Sequence, residues 1–224
     1  MIGVAGGTGN GRTEGHDPMD VERLLWRLAD KYAPAPPARS STVRPEWFDH
    51  AGDLVVVNGR VTWETPSHTE GGFTHGLPAG SHPVYVGSHA TIPDAWNPDA
   101  FRYSVSMVVI PLAEPARIEA AKWGTDGYDD IHMIEDFAVL WAEEALYPGH
   151  HFDDDHVPDF LHRARDDIAA RGRHHRRAGW VEALLDRDTG ANAFVFPVDS
   201  ENVTGFEIVD DDENLLCLVL RTYD

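Results

Sequence analysis

The sequence predicts an α+β protein, largely antiparallel β-sheet with about three helices. Three observations carry that expectation. From residue 53 onward, short apolar runs bounded by turn residues recur at strand length. In three other places apolar residues return at helical spacing instead. The connections in the last third are short and polar, as antiparallel neighbours allow.

Residues 1–16 are Gly-rich and aperiodic and read as a flexible tail outside the core. Asp17 then stands as an N-cap before Pro18, and Val21, Leu24, Leu25, Leu28 and Tyr32 define the buried stripe of a helix over 18–32. Ala33-Pro34-Ala35-Pro36-Pro37-Ala38 ends it, because proline cannot continue the hydrogen-bond ladder, and serves as a linker. The expected organisation is a tail (1–16), a helix with its linker (17–38) and one α+β domain (39–224).

Within that domain, strands over 53–57 and 60–64 flank Asn58-Gly59, a pair suited to the positive φ angles of a tight hairpin turn. Further strands are expected over 82–86, 102–110, 117–122, 179–185, 192–196, 205–209 and 215–221, the last four forming one antiparallel meander. Ile134, Phe137, Leu140, Trp141 and Ala145 fit one face of a helix stopping before Pro148-Gly149. Phe160, Leu161, Ala164 and Ile168 fit another, from near Pro158 to near Gly172.

Composition narrows the function. With 38 acidic against 18 basic residues the net charge is −20, so the average field repels nucleic-acid phosphates and anionic lipid. No nucleic-acid partner is expected, and no apolar window reaches a membrane span, so a cytoplasmic protein is expected. The single cysteine, Cys217, lies in an apolar run and reads as a small hydrophobe rather than a reactive thiol.

Three blocks resemble a bacterial family catalogued as domain of unknown function 4241, over about residues 54–224. They are Gly59-Arg60-Val61 with Leu77-Pro78-Ala79-Gly80-Ser81-His82-Pro83-Val84; the strand 103–110 leading to Trp123; and Asn192-Ala193-Phe194-Val195-Phe196-Pro197 with Gly205-Phe206-Glu207 and 216–223. Residues 124–178 contribute little to the likeness. Where the family carries a Ser-Gly and Gly-Asp-Gly turn, this chain has Val198-Asp199-Ser200-Glu201-Asn202-Val203. The resemblance implies a fold and no activity; any ligand held by that turn in relatives would be handled differently here.

Several motifs bear on chemistry. The Gly6–Thr13 stretch approximates a phosphate-binding loop, but Arg12 replaces the lysine and neither a full strand before it nor a helix after it is expected. His150, His151, Asp155 and His156 form a donor set suited to a divalent transition metal, with Asp153 beside them as general base. Asp155, Asp159 and His162 also share a helical face by spacing. The same residues equally suit a solvated loop whose aspartates cap the following helix. The basic residues between Arg163 and Arg177 complement a helix C-terminus, or pair with the surplus acid. Ser81-His82 and Ser88-His89 put neighbours on opposite strand faces, which does not assemble a nucleophile and base.

Acids gather at Asp199, Glu201, Asp210, Asp211, Asp212 and Glu213, where they either build turns or steer a basic partner. The leading reading is an acidic, non-catalytic binding protein of immunity or inhibitor type that recognises a basic protein. The alternative is a metal-dependent hydrolase built on the 150–156 cluster, and a third reading is a small-molecule sensor with an aromatic pocket.

Overall fold

The computed structural model describes residues 18–34, 43–64, 73–91, 102–125, 127, 137–141, 163, 166–167, 180–198 and 202–223. Two five-stranded antiparallel sheets dominate. The first runs β1 (Trp47–Val56), β4 (Gly80–Thr91), β5 (Arg102–Pro111), β10 (Leu215–Tyr223), β9 (Asn202–Val209). The second runs β3 (Phe73–Gly76), β2 (Arg60–Glu64), β6 (Phe137–Trp141), β8 (Asn192–Pro197), β7 (Val181–Leu184).

Alternation along the strands sorts the core into two layers. Leu54, Val56, Val84, Val86, Val108, Ile110, Leu218 and Leu220 of the first sheet meet Val61, Trp63, Ala138, Leu140, Phe194 and Phe196 of the second. Trp63 stacks on Phe196 at 5.5 Å and Phe194 on Phe196 at 6.2 Å, between centroids. The opposite face of the first sheet, with Met107, Val109, Phe206, Ile208, Cys217 and Val219, is covered by the apolar stripe of α1 (Pro18–Tyr32) and by Ile118 of α2 (Pro115–Ala120). No described helix is long and apolar enough to cross a membrane.

The α1 stripe Val21, Leu24, Leu25, Leu28 and Tyr32 is buried as its periodicity requires. Against about three expected helices, the elements of the described residues include two, α1 and α2; of the helix expected over 158–172 only Arg163, Asp166 and Asp167 are described, each helical. Residues 1–16 and most of the Pro-rich linker lie outside the described residues.

Four expectations are corrected. The segment 134–145 is not helical where described: 137–141 is β6, whose Ala138 and Leu140 face the inter-sheet core while Val139 and Trp141 are buried on the other side. A continuous apolar run fits both periods, and burial on both faces decides for strand. The strand expected over 117–122 is instead α2, begun by Pro115 at the first helical turn, where its missing N–H costs nothing. Trp123 closes that helix by donating its indole N–H to the Ile118 carbonyl at 2.7 Å.

The third correction concerns Asn58-Gly59. Gly59 does take positive φ, +83°, but β1 pairs with β4 while β2 pairs with β3 and β6. The turn therefore carries the chain from one sheet to the other rather than closing a hairpin. Fourth, the last four strands are no single meander: β7 and β8 belong to the second sheet, β9 and β10 to the first. β3 was not expected at all.

The free edge of β1 is tied across the sandwich. Asn192, 2% exposed, accepts from the Val55 N–H at 2.9 Å and donates to the Asp53 carbonyl at 2.8 Å and the Glu182 carboxylate at 2.7 Å. Trp180 donates to the Ala51 carbonyl at 3.3 Å. Between them Gly52, at φ +144°, forms a bulge; a Cβ there would sit 3.1 Å from the Phe194 ring.

Two outcomes are expected. Asn192→Ala leaves the Val55 N–H and the Asp53 carbonyl without their partner and should cost about 2 to 4 kcal/mol, read as a lower urea midpoint at unchanged slope. Gly59→Val should cost about 1 kcal/mol or more, because it combines a left-handed backbone with a 3.2 Å approach to the Leu77 carbonyl.

Candidate functional site

Among the described residues, a cleft lies where α1 runs past the edge of the first sheet. Its volume is about 700 Å³. Pro18, Val21, Glu22, Leu25 and Trp26 recur at three and four residues and form one wall, a single stripe of α1. The other wall is β1, from Trp47 to His50 and at Asp53, with Pro83 and Tyr85 of β4 and Pro111 of β5. Successive strand residues face opposite ways, so a lining that takes Trp47, Phe48, Asp49 and His50 together runs over the free edge of β1. Residues further along that edge are the ones tied by Trp180 and Asn192.

The lining is aromatic and acidic. Trp26 meets Phe48 edge-on at 5.2 Å, and His50 lies against Tyr85 at 5.2 Å. Glu22, Asp49 and Asp53 supply carboxylates, and among the described residues no lysine or arginine lines the cleft. Asp49 Oδ2 is shut from solvent and, among the described residues, is the one buried carboxylate oxygen that receives no hydrogen bond. The Tyr85 phenol is pushed above its ordinary value by burial first and by the nearby Asp53 carboxylate second.

Asp53 takes His50 Nε2 at 3.2 Å on one oxygen and the Ser81 hydroxyl at 3.4 Å on the other. The Ser81 hydroxyl is thus bonded to the Asp53 carboxylate rather than to the His50 imidazole. Ser88 and His89 are both buried in β4, away from solvent. Elsewhere, His75 of β3, 3% exposed, meets Glu207 of β9 at 2.7 Å and joins the edges of the two sheets. That pair was missed in sequence because nothing marked 73–76 as a strand.

The acidic turns resolve into local structure. Asp210 accepts from the backbone N–H groups of Asp212 at 3.0 Å and Asn214 at 2.9 Å and pairs with Arg117. Asp186 does the same for its own turn, with Thr189 at 2.7 Å and the Asp188 N–H at 3.0 Å. Asp211, Asp212 and Glu213 remain exposed. Asp199 and Glu201 lie outside the described residues, as do Asp153 and the metal candidates His150, His151, Asp155 and His156. Among the described residues no group of three or more metal-donor side chains converges. Cys217 is fully buried, and burial raises its thiol pKa.

No family model, no curated protein and no solved structure matches this chain.

The Asp210 turn predicts a pH window. Its carboxyl is held below the ordinary 3.8, chiefly by the Asn214 N–H, then by the Asn214 side chain, Arg117 and the Asp212 N–H. A depressed folded value means the turn's stabilisation is complete above that pH and is lost as pH falls through the folded value. Melting temperatures followed from neutral pH to below 3.8 should therefore show parent and Asp210→Asn converging at the acid end. Native Cys217 should also resist a thiol reagent until the chain is unfolded.

Proposed function

We propose that this chain is an acidic, non-catalytic binding protein of immunity or inhibitor type that recognises a basic protein in the cytoplasm. The likeness to domain of unknown function 4241 belongs to the same proposal and concerns the fold. The observation that carries the reading is the cleft between α1 and the edge of β1, which joins aromatic walls to three carboxylates, with Arg44 over the Trp26 ring. Aromatic rings on rigid elements give contact area at small entropy cost, and the carboxylates give sign. The net charge of −20 adds a long-range field that draws a basic partner toward the surface.

The reading is tested by capture from native cytoplasm. A basic protein should be retained at low salt and lost near about 0.5 M, where the screening length falls to roughly 4 Å. Neutralising the cleft by Glu22→Gln, Asp49→Asn and Asp53→Asn should slow association about tenfold, with a smaller change in dissociation. Reversing Asp211, Asp212 and Glu213 to lysine, while sparing the turn-forming Asp210, measures the steering share of the C-terminal acids. Recovery of no basic protein at any salt overturns the reading.

A further inference from the structure

The start of β1 offers main-chain groups as well as side chains. An edge strand turns the N–H and C=O of alternate residues outward. On β1 the Val55 N–H and the Asp53 and Ala51 carbonyls are such groups, and Asn192 and Trp180 take them. The extra residue at the Gly52 bulge shifts the alternation, so His50 and Phe48 are the next two to face outward. Among the described residues neither forms a main-chain hydrogen bond outside its ladder with β4.

The cleft runs alongside this stretch and is lined from both of its faces, by Phe48 and His50 on the α1 side and by Trp47 and Asp49 on the other. A hollow that wraps over an unpaired edge has the shape a further strand needs, with room for its side chains at alternate positions. The α1 wall changes character along that edge. Trp26 meets Phe48 and carries Arg44, itself bound to Asp30, over its ring. Passing from Arg44 to Phe48 thus moves from Asp30 to Trp26, and Glu22, one turn earlier, lies toward His50. Glu22 is exposed and, among the described residues, joins no ion pair.

We propose that the start of β1 binds an extended segment of the basic partner as an added edge strand. The segment pairs with Phe48 and His50 and sets an apolar side chain beside Phe48 and a basic one beside His50 and Glu22. This rests on the basic-partner reading above and gives it a mode of docking. About three residues engage the N–H and C=O of both Phe48 and His50, and pairing stops where Trp180 and Asn192 close the edge. Glu22 supplies the attracting charge, since Asp53 is bonded to His50 and Ser81 and Asp49 Oδ2 is enclosed.

The test titrates the full chain at low salt with the blocked peptide Thr-Lys-Thr-Val-Thr-Lys-Thr, which reads alike in either direction. The readout is hydrogen exchange of assigned amides. Phe48 and His50 should be protected about tenfold or more, while Val55, already bonded to Asn192, stays as it was. N-methylation of the valine, whose N–H faces β1, should abolish binding, and N-methylation of the following threonine should not. His50→Pro removes the outward donor at an edge where proline is tolerated and should weaken binding about tenfold; His50→Ala keeps the donor and should bind as the parent does. Should His50→Pro unfold the protein, the two N-methyl peptides decide. Glutamine in place of lysine should weaken binding about fivefold.

Equal binding of the two N-methyl peptides, or a titration that leaves Phe48 and His50 unprotected, overturns strand addition and leaves the basic-partner reading standing. Equal binding of the glutamine peptide with that protection kept overturns the basic side chain, and with it the link to a basic partner. Protection that grows with protein concentration alone gives the edge to a second copy. Protection lost on deleting residues 1–17 gives it to the chain's own N-terminal segment. Either result overturns the proposal.

Discussion

Everything in this fold answers to a single constraint: the sheet β1-β4-β5-β10-β9 is apolar on both faces and has to be covered twice. Strands such as 105–110 and 216–220 carry no polar alternation, so neither face tolerates water. One face takes the second sheet through Trp63, Phe194 and Phe196. The other takes α1 and α2, which Glu119 joins through Arg23 and Arg27. Removal of either cover would expose a row of valines and leucines, each worth about 1.5 to 3 kcal/mol in transfer from water.

A doubly covered sheet still has edges, and β1 is managed in two different ways along its length. From Ala51 to Val55 its outward groups bond to Trp180 and Asn192, which blocks pairing with a foreign strand and fixes the two sheets laterally. The Gly52 bulge makes room for Phe194 at the point where these ties begin. Toward the start of β1 the strand borders the cleft instead. The tied segment and the cleft meet at Asp53, whose carbonyl bonds Asn192 while the residue lines the cleft.

The surplus of acid is likewise divided by use. Asp186 and Asp210 build turns, Asp30 and Glu119 hold arginines of α1 and its flank, and Glu207 meets His75 between sheets. Those carboxylates are satisfied within the chain. In the cleft Asp53 takes His50 and Ser81, while the buried Asp49 Oδ2 receives no hydrogen bond.

The sequence by itself determined the α+β class, the helix over 18–32 to the residue, most strand positions and the hydrophobic fate of Cys217. These follow from local periodicity and from proline, neither of which needs distant partners. It also marked Gly59 as left-handed. It did not determine that Gly59 turns between sheets, that 137–141 is a strand or that 115–120 is a helix, because a short apolar run satisfies both periods until its neighbours declare which faces are buried. The cleft lay beyond reach for the same reason: Glu22 on α1, Asp49 and Asp53 on β1 and Tyr85 on β4 are remote along the chain and meet only because the sheet edge and the helix stripe converge. Acidic turns were visible as composition, yet only tertiary structure separated the carboxylates that close turns from those that face open space.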